Sequence, residues 1–113
     1  MPEVFEEYSI TNIPEGFTVE TEHINESLCI KEQVFLNGEH TIRFGQHLAE
    51  KANFAIDTEG IKTETIEYGD KEFLCFSNKG IQYALWTEGG YAFIIHSDLS
   101  MEQVLEMAAS VKK

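Results

Sequence analysis

Four histidines, His23, His40, His47 and His96, are the side chains best suited to hold a metal or move a proton near neutral pH. Their spacing argues against a shared site. His40 and His47 stand seven residues apart, so a straight strand points them to opposite faces. Neither HxxxH nor HExxH occurs, and solvated or hydrogen-bonded rings are the simpler expectation. Carboxylates are plentiful, as in Glu6-Glu7 and Glu20/Glu22. Acid–base catalysis needs a pair whose environments push their pKa values apart. In a chain with 20 acidic residues such pairs read as solvated faces. A serine or cysteine nucleophile needs a positioned base, and neither GxSxG nor a cysteine signature marks one. Gly89-Gly90-Tyr91 is a lone glycine pair that a hairpin explains better than a phosphate cradle, and there is no GxGxxG or Walker loop. No catalytic residue, metal ligand or cofactor is therefore assigned, and the chain reads as non-enzymatic.

Composition narrows the partners. The formal charge of −12 repels phosphate backbones and anionic lipid surfaces, and no stretch clusters Lys and Arg. Nucleic acid is excluded as a partner on that ground. Cys29 and Cys75 lie far apart; one disulfide could join them, but free, half-buried thiols are expected, and there is no CxxC. No apolar run reaches the ~18–20 residues that span a bilayer, so direct membrane insertion by this chain is not expected. Met1 leads straight into the acidic "PEVFEEYS", with no apolar core of a signal peptide. Two readings stay open: a cytoplasmic chain, or one whose Met1 is not the native start.

The elements that would have to position any site are mostly strands. A chain of 113 residues suffices for one core, so 1–113 is expected to be a single domain. "NIPEGF" marks the end of an extended lead-in over 1–16. Antiparallel strands follow over 17–96, at 17–24, 27–36, 40–47, 61–68, 71–77, 81–87 and 91–96, with turn residues between them. The segment 48–60 could hold a short helix or an irregular crossing. Ser100 then opens a helix over 100–112, with Gln103 completing a capping box and Leu99 and Val104 able to form a hydrophobic staple. Met101, Val104, Leu105, Ala108 and Val111 form one apolar stripe, and Lys112 and Lys113 suit the negative end of the helix dipole.

Register follows from keeping apolar residues together, because a slip of one residue turns every side chain over. A three-residue loop, Asn37 to Glu39, pairs Val34 with Ile42 and gathers Leu28, Ile30, Val34, Leu36, Ile42 and Phe44 on one face. A three-residue loop at Asn78-Lys79-Gly80 aligns Phe73 and Cys75 with Ile81, Tyr83 and Leu85. Leu74, Phe76, Ala84 and Trp86 then share the opposite face. One helix covers one face only. The other face is either buried by the N-terminal segment around Ile13 and Phe17, or is a binding surface at Leu74, Phe76 and Trp86.

"NIPEGF", "IDTEG" and "IQYALWTEGGYAFIIHSDLSMEQVLEMAASV" together resemble the bacterial family called domain of unknown function 4367. The likeness rests on Ile13 to Phe17, Asp57 to Glu59, Trp86 to Tyr91, Leu99-Ser100 and Ala108 to Ser110, in that order. It covers most of the chain from about Tyr8. The resemblance implies an outward-facing C-terminal domain of single-pass bacterial membrane proteins, some with anti-sigma-like N-terminal parts. It implies no catalytic residues. The expected fold is α+β: a curved antiparallel sheet of six to seven strands with one C-terminal helix on one face. The expected role is an extracytoplasmic interaction or sensing module, tethered to the membrane through a segment absent from this chain. The alternative role is a binder of an apolar small molecule or lipid in a groove of the sheet.

Overall fold

Four tight turns decide which side chains meet. The computed structural model describes residues 5–51 and 61–113. Its strands are β1 (Ser9–Ile10), β2 (Thr18–Asn25), β3 (Ile30–Asn37), β4 (His40–Leu48), β5 (Glu64–Tyr68), β6 (Lys71–Asn78), β7 (Ile81–Glu88), β8 (Tyr91–Ser97) and β9 (Val111–Lys112). The one helix among the described residues, α1, spans Met101–Ala109, and Ala49–Lys51 forms a short 3₁₀ turn. Seven strands make one antiparallel sheet in the order β2-β3-β4-β8-β7-β6-β5. It consists of two meanders, β2–β4 and β5–β8, joined where β4 pairs with β8. The fold is α+β, with α1 against the sheet on the β7 and β8 side.

Both hairpin registers differ from those expected. Asn37 pairs with His40 and Asn78 with Ile81, so both loops have two residues. At Gly38-Glu39 only Gly38 has positive φ (+60°), the pattern of a type II′ turn; at Lys79-Gly80 both residues do (+55° and +82°), the pattern of type I′. These turns match the right-handed twist of the flanking strands. Turn geometry therefore overrides the pairing that apolar pattern favoured. Phe35 pairs with Ile42 and Gln33 with Phe44, so Lys31, Gln33 and Phe35 point to the covered face while Val34 and Leu36 point away. Leu74 aligns with Leu85, and Cys75 with Ala84.

The covered face is the core. Ile42, Phe73, Phe93, Ile95, Val104 and Ala108 are fully buried in it. Phe73 meets Trp86 edge-on at 5.2 Å, and Trp86 stacks on Phe93 at 5.1 Å. The N-terminal segment crosses this same face. The rings of Tyr8 and Phe93 lie 5.0 Å apart, and Ile10 pairs with Val111 in the small β1–β9 sheet.

Buried polar groups fasten that segment. Lys31 is 1% exposed, and its Nζ donates to Glu7 Oε2 (2.8 Å), the Tyr8 carbonyl (2.8 Å) and Ser9 Oγ (2.9 Å). Gln46 accepts from the Tyr8 N–H at 3.0 Å and donates to the Glu6 carbonyl at 2.8 Å. A buried ammonium persists only when its donors are used. The core-facing Lys and Gln are thus the partners of a chain segment that lacks a full ladder of its own.

The helix starts as expected. Ser100 accepts from the Gln103 N–H, and the Gln103 side chain returns to the Ser100 N–H, a complete capping box. Its end differs. The helix stops at Ala109, Ser110 caps it, and Val111–Lys112 turn into strand β9. The hydroxyl of Ser110 donates to the Met107 carbonyl and accepts the N–H groups of Thr11 and Asn12. The incoming N-terminal segment thereby captures the helix end, and no basic residue lies in the last turn. Val111 is buried as a strand residue, and Met107 joins the buried stripe. Of the segment 48–60, Leu48 ends β4 and 49–51 form the 3₁₀ turn; the rest, including Asp57 to Glu59, lies outside the described residues.

Candidate functional site

Alternation along each strand leaves a second face, and no described helix or strand lies over it. Its central row runs Phe76, Tyr83, His96, Arg43, Val34, Thr21 across six strands. The neighbouring row runs Leu74, Leu85, Ile94, Gly45, Glu32, His23. Of the three residues expected to form a binding face, Leu74 and Phe76 are here and Trp86 is not. The two-residue loop after Asn78 turns Trp86 to the helix side, where it is 6% exposed. The shared face of Leu74, Phe76 and Trp86 is corrected accordingly. Leu74 is 42% exposed, whereas Phe76 is buried against the Tyr83 ring, stacked at 4.5 Å.

The stack continues. Tyr83 lies parallel to His96 at 5.0 Å, giving three rings side by side on β6, β7 and β8. Beyond His96 stands Arg43, exposed on β4. Burial first, and the Arg43 charge second, hold the His96 pKa below its ordinary value. Its ring is therefore neutral at neutral pH. Next to Arg43 the strand carries Gly45, where an added Cβ would meet Ile94 Cγ2 at 3.1 Å. Over Gly45 and Ile94 lies a groove of about 440 Å³, lined among others by His23, Glu32, Arg43, His47, Tyr83 and His96. A second hollow of about 390 Å³ shares Arg43, Tyr83 and His96 with it.

The groove is far less acidic than the chain as a whole. It gathers the only arginine and three of the four histidines. Its one carboxylate, Glu32, lies 3.7 Å from His47 Nε2. At the rim of the second hollow, Asp98 accepts the Thr41 N–H at 3.0 Å and meets His40 Nδ1 at 2.9 Å. The Thr41 bond is the main reason its pKa lies below the carboxylate norm. Among the described residues no three His, Cys, Asp or Glu converge as metal ligands. His40 and His47 do fall on opposite faces, as their spacing demands.

Sequence reasoning missed Arg43, Tyr83, Ile94 and Gly45. A signal existed: "TIRFGQH" alternates Ile42 and Phe44 with Arg43, Gly45 and His47, which assigns the latter three to one face. Among the described residues the chain is thus an α+β sheet-and-helix domain with one face covered by helix and the other carrying no helix or strand, and with no catalytic constellation. The family model described as Domain of unknown function (DUF4367) matches residues 7–111, and the chain belongs to that family. No curated protein matches it. No helix of the described residues is long and apolar enough to cross a membrane.

Proposed function

We propose that this chain is a non-catalytic interaction or sensing module on the outer side of a bacterial membrane, tethered through a segment outside this chain, and that it makes contact through its open sheet face. The observation that carries the contact surface is the asymmetry of the sheet. Helix α1 and the N-terminal segment seal one face, while the other leaves Leu74 exposed beside a stacked aromatic row. Apolar surface left open on a soluble domain marks a place where something binds. Leu74 belongs to this surface, with Phe76 buried under it against Tyr83; Trp86 acts behind it, as core. Family membership supports the compartment, since the family resemblance implies outward-facing domains.

Two experiments test this. A tagged full-length gene product should be cleaved by protease added to intact cells; protection until lysis would refute the outward placement. A photo-crosslinking residue at Leu74 should give a discrete adduct in cells, while one at Glu102, exposed on α1, should not. Equal labelling from both positions would refute the face assignment. A second reading, an apolar small molecule or lipid held in a groove of the sheet, is supported by the groove of about 440 Å³ over Gly45 and Ile94.

A further inference from the structure

We infer that the open-face groove takes a small amphiphilic carboxylate, an apolar body with one anionic head, and that Arg43 is the anchor for the head. This rests on the ligand reading of that face. Charge complementarity carries it. In a protein of net charge −12, the sole arginine stands exposed on the open face. The ion pairs among the described residues use Lys31, His40, His47, Lys71 and Lys113, and none uses Arg43. A guanidinium offers a planar fork of donors that fits a carboxylate with two parallel bonds. Two of the acids lining the two hollows have other partners, while Glu39 lines the second hollow only. Glu32 faces His47, and Asp98 is held by Thr41 and His40.

The groove fixes the ligand's remaining features. His96 contributes no charge at neutral pH, because burial and Arg43 disfavour its protonated form. Arg43 is then the one permanent cation in the lining, set against the one carboxylate, Glu32 on the neighbouring row, and a single guanidinium matches a singly charged head. The floor beside it is apolar. Gly45 presents no side chain, Ile94 packs so close that an added Cβ would meet its Cγ2 at 3.1 Å, and Val34 and Tyr83 join the lining. At about 440 Å³ the groove has the size of a small-molecule site, which typically measures ~300–1,000 Å³. A single guanidinium confined to one groove suits a compact ligand better than a protein surface, which needs roughly 800 Å² per partner.

Titration calorimetry with decanoate and decan-1-ol, both below micelle-forming concentrations, tests the inference. Wild-type protein should bind decanoate at least about tenfold more tightly, the usual worth of a hydrogen bond to a charged group. Arg43→Gln should erase that preference and leave decan-1-ol affinity unchanged. Gly45→Val should fill the floor and lose both ligands. Matching far-UV spectra and melts establish that the variants fold. Equal affinities for the two ligands, or a preference that survives Arg43→Gln, would overturn the head-group assignment and leave the groove reading standing. Binding of neither ligand, or unchanged binding in Gly45→Val, would remove the groove reading as well. Should a variant fail to fold, wild-type protein and decyltrimethylammonium decide: the cation must bind no better than the alcohol, and binding as tight as decanoate refutes the inference.

Discussion

Replacing Lys31 by Met tests how the N-terminal segment is held to the sheet. The thioether side chain keeps most of the buried volume but none of the three hydrogen bonds to Glu7, Tyr8 and Ser9. Losing them is offset in large part, because the ammonium no longer has to be taken out of water, a cost of several kcal/mol. What survives is the fate of the partners. Glu7 is 49% exposed and can rehydrate. The Ser9 hydroxyl can rotate to another partner. The Tyr8 carbonyl cannot escape so easily, since Tyr8 is only 4% exposed and its ring is held among Tyr91 and Phe93. An orphaned buried acceptor costs about 1–3 kcal/mol, so Lys31→Met should destabilise by that amount. Urea unfolding gives the magnitude, and hydrogen exchange gives the place. The Tyr8 amide, bonded to Gln46, should lose protection before the strands of the sheet do. A variant as stable as wild type, with the Tyr8 amide still protected, would show that Lys31 does not fasten the segment.

Four further outcomes are expected. Leu105→Ala should cost ~2–5 kcal/mol through lost burial and a cavity, and Ser100→Ala about 1 kcal/mol through the lost cap; a denaturant midpoint unchanged in Leu105→Ala would mean that α1 does not pack on the sheet. Trp86→Ala should cost ~3–5 kcal/mol, and the blue emission of this single Trp should resist iodide; a red, quenchable emission would contradict its place against Phe73 and Phe93. Cys29 and Cys75 are free and buried, so two thiols should titrate in denaturant without reductant, while Cys75, its pKa pushed up to about 11 by burial and by Glu64, stays unreactive in the native protein at pH 8; finding no reactive thiols in denaturant would establish a disulfide. Burial and Arg43 depress the folded-state pKa of His96, so the unfolded chain binds that proton more tightly. The stability it contributes is complete above about pH 6.5, the ordinary imidazole value, and is lost as pH falls below it; His96→Gln should flatten that part of the stability–pH curve, and an unchanged slope would refute the assignment.

Much of the fold was legible in the sequence. Alternation of apolar and polar residues, punctuated by Asn37-Gly38, Gly69-Asp70, Lys79-Gly80 and Gly89-Gly90, located the strands after Pro14, because turn residues and period-two patterning are local properties. Ser100 and Gln103 marked the helix start for the same reason: a capping box is closed within one turn. The candidate site was less legible. Its composition was present in "TIRFGQH", but the face it shares with Tyr83 and His96 exists only once β4 has paired with β8 and β8 with β7.

What the sequence determined by itself, then, was the order and type of the seven main-sheet strands and the start of the helix. Register and cover were decided by tertiary structure. The two-residue loops at Gly38-Glu39 and Lys79-Gly80 satisfy strand twist, and in doing so they send Lys31 and Gln33 inward and part Trp86 from Leu74 and Phe76. An apolar count on single strands predicts the opposite, because it cannot know that Glu7, Tyr8 and Ser9 will arrive to satisfy Lys31. Likewise, only the capture of Ser110 by Thr11 and Asn12 ends the helix before its lysines and draws Val111 into a strand. Those partners lie about a hundred residues apart, and separations of that length (99 and 98 residues) leave no trace in a local pattern. The face left open is what remains when the helix and the N-terminal segment both choose the same side, since a buried polar anchor fixes one of them there and an apolar stripe the other.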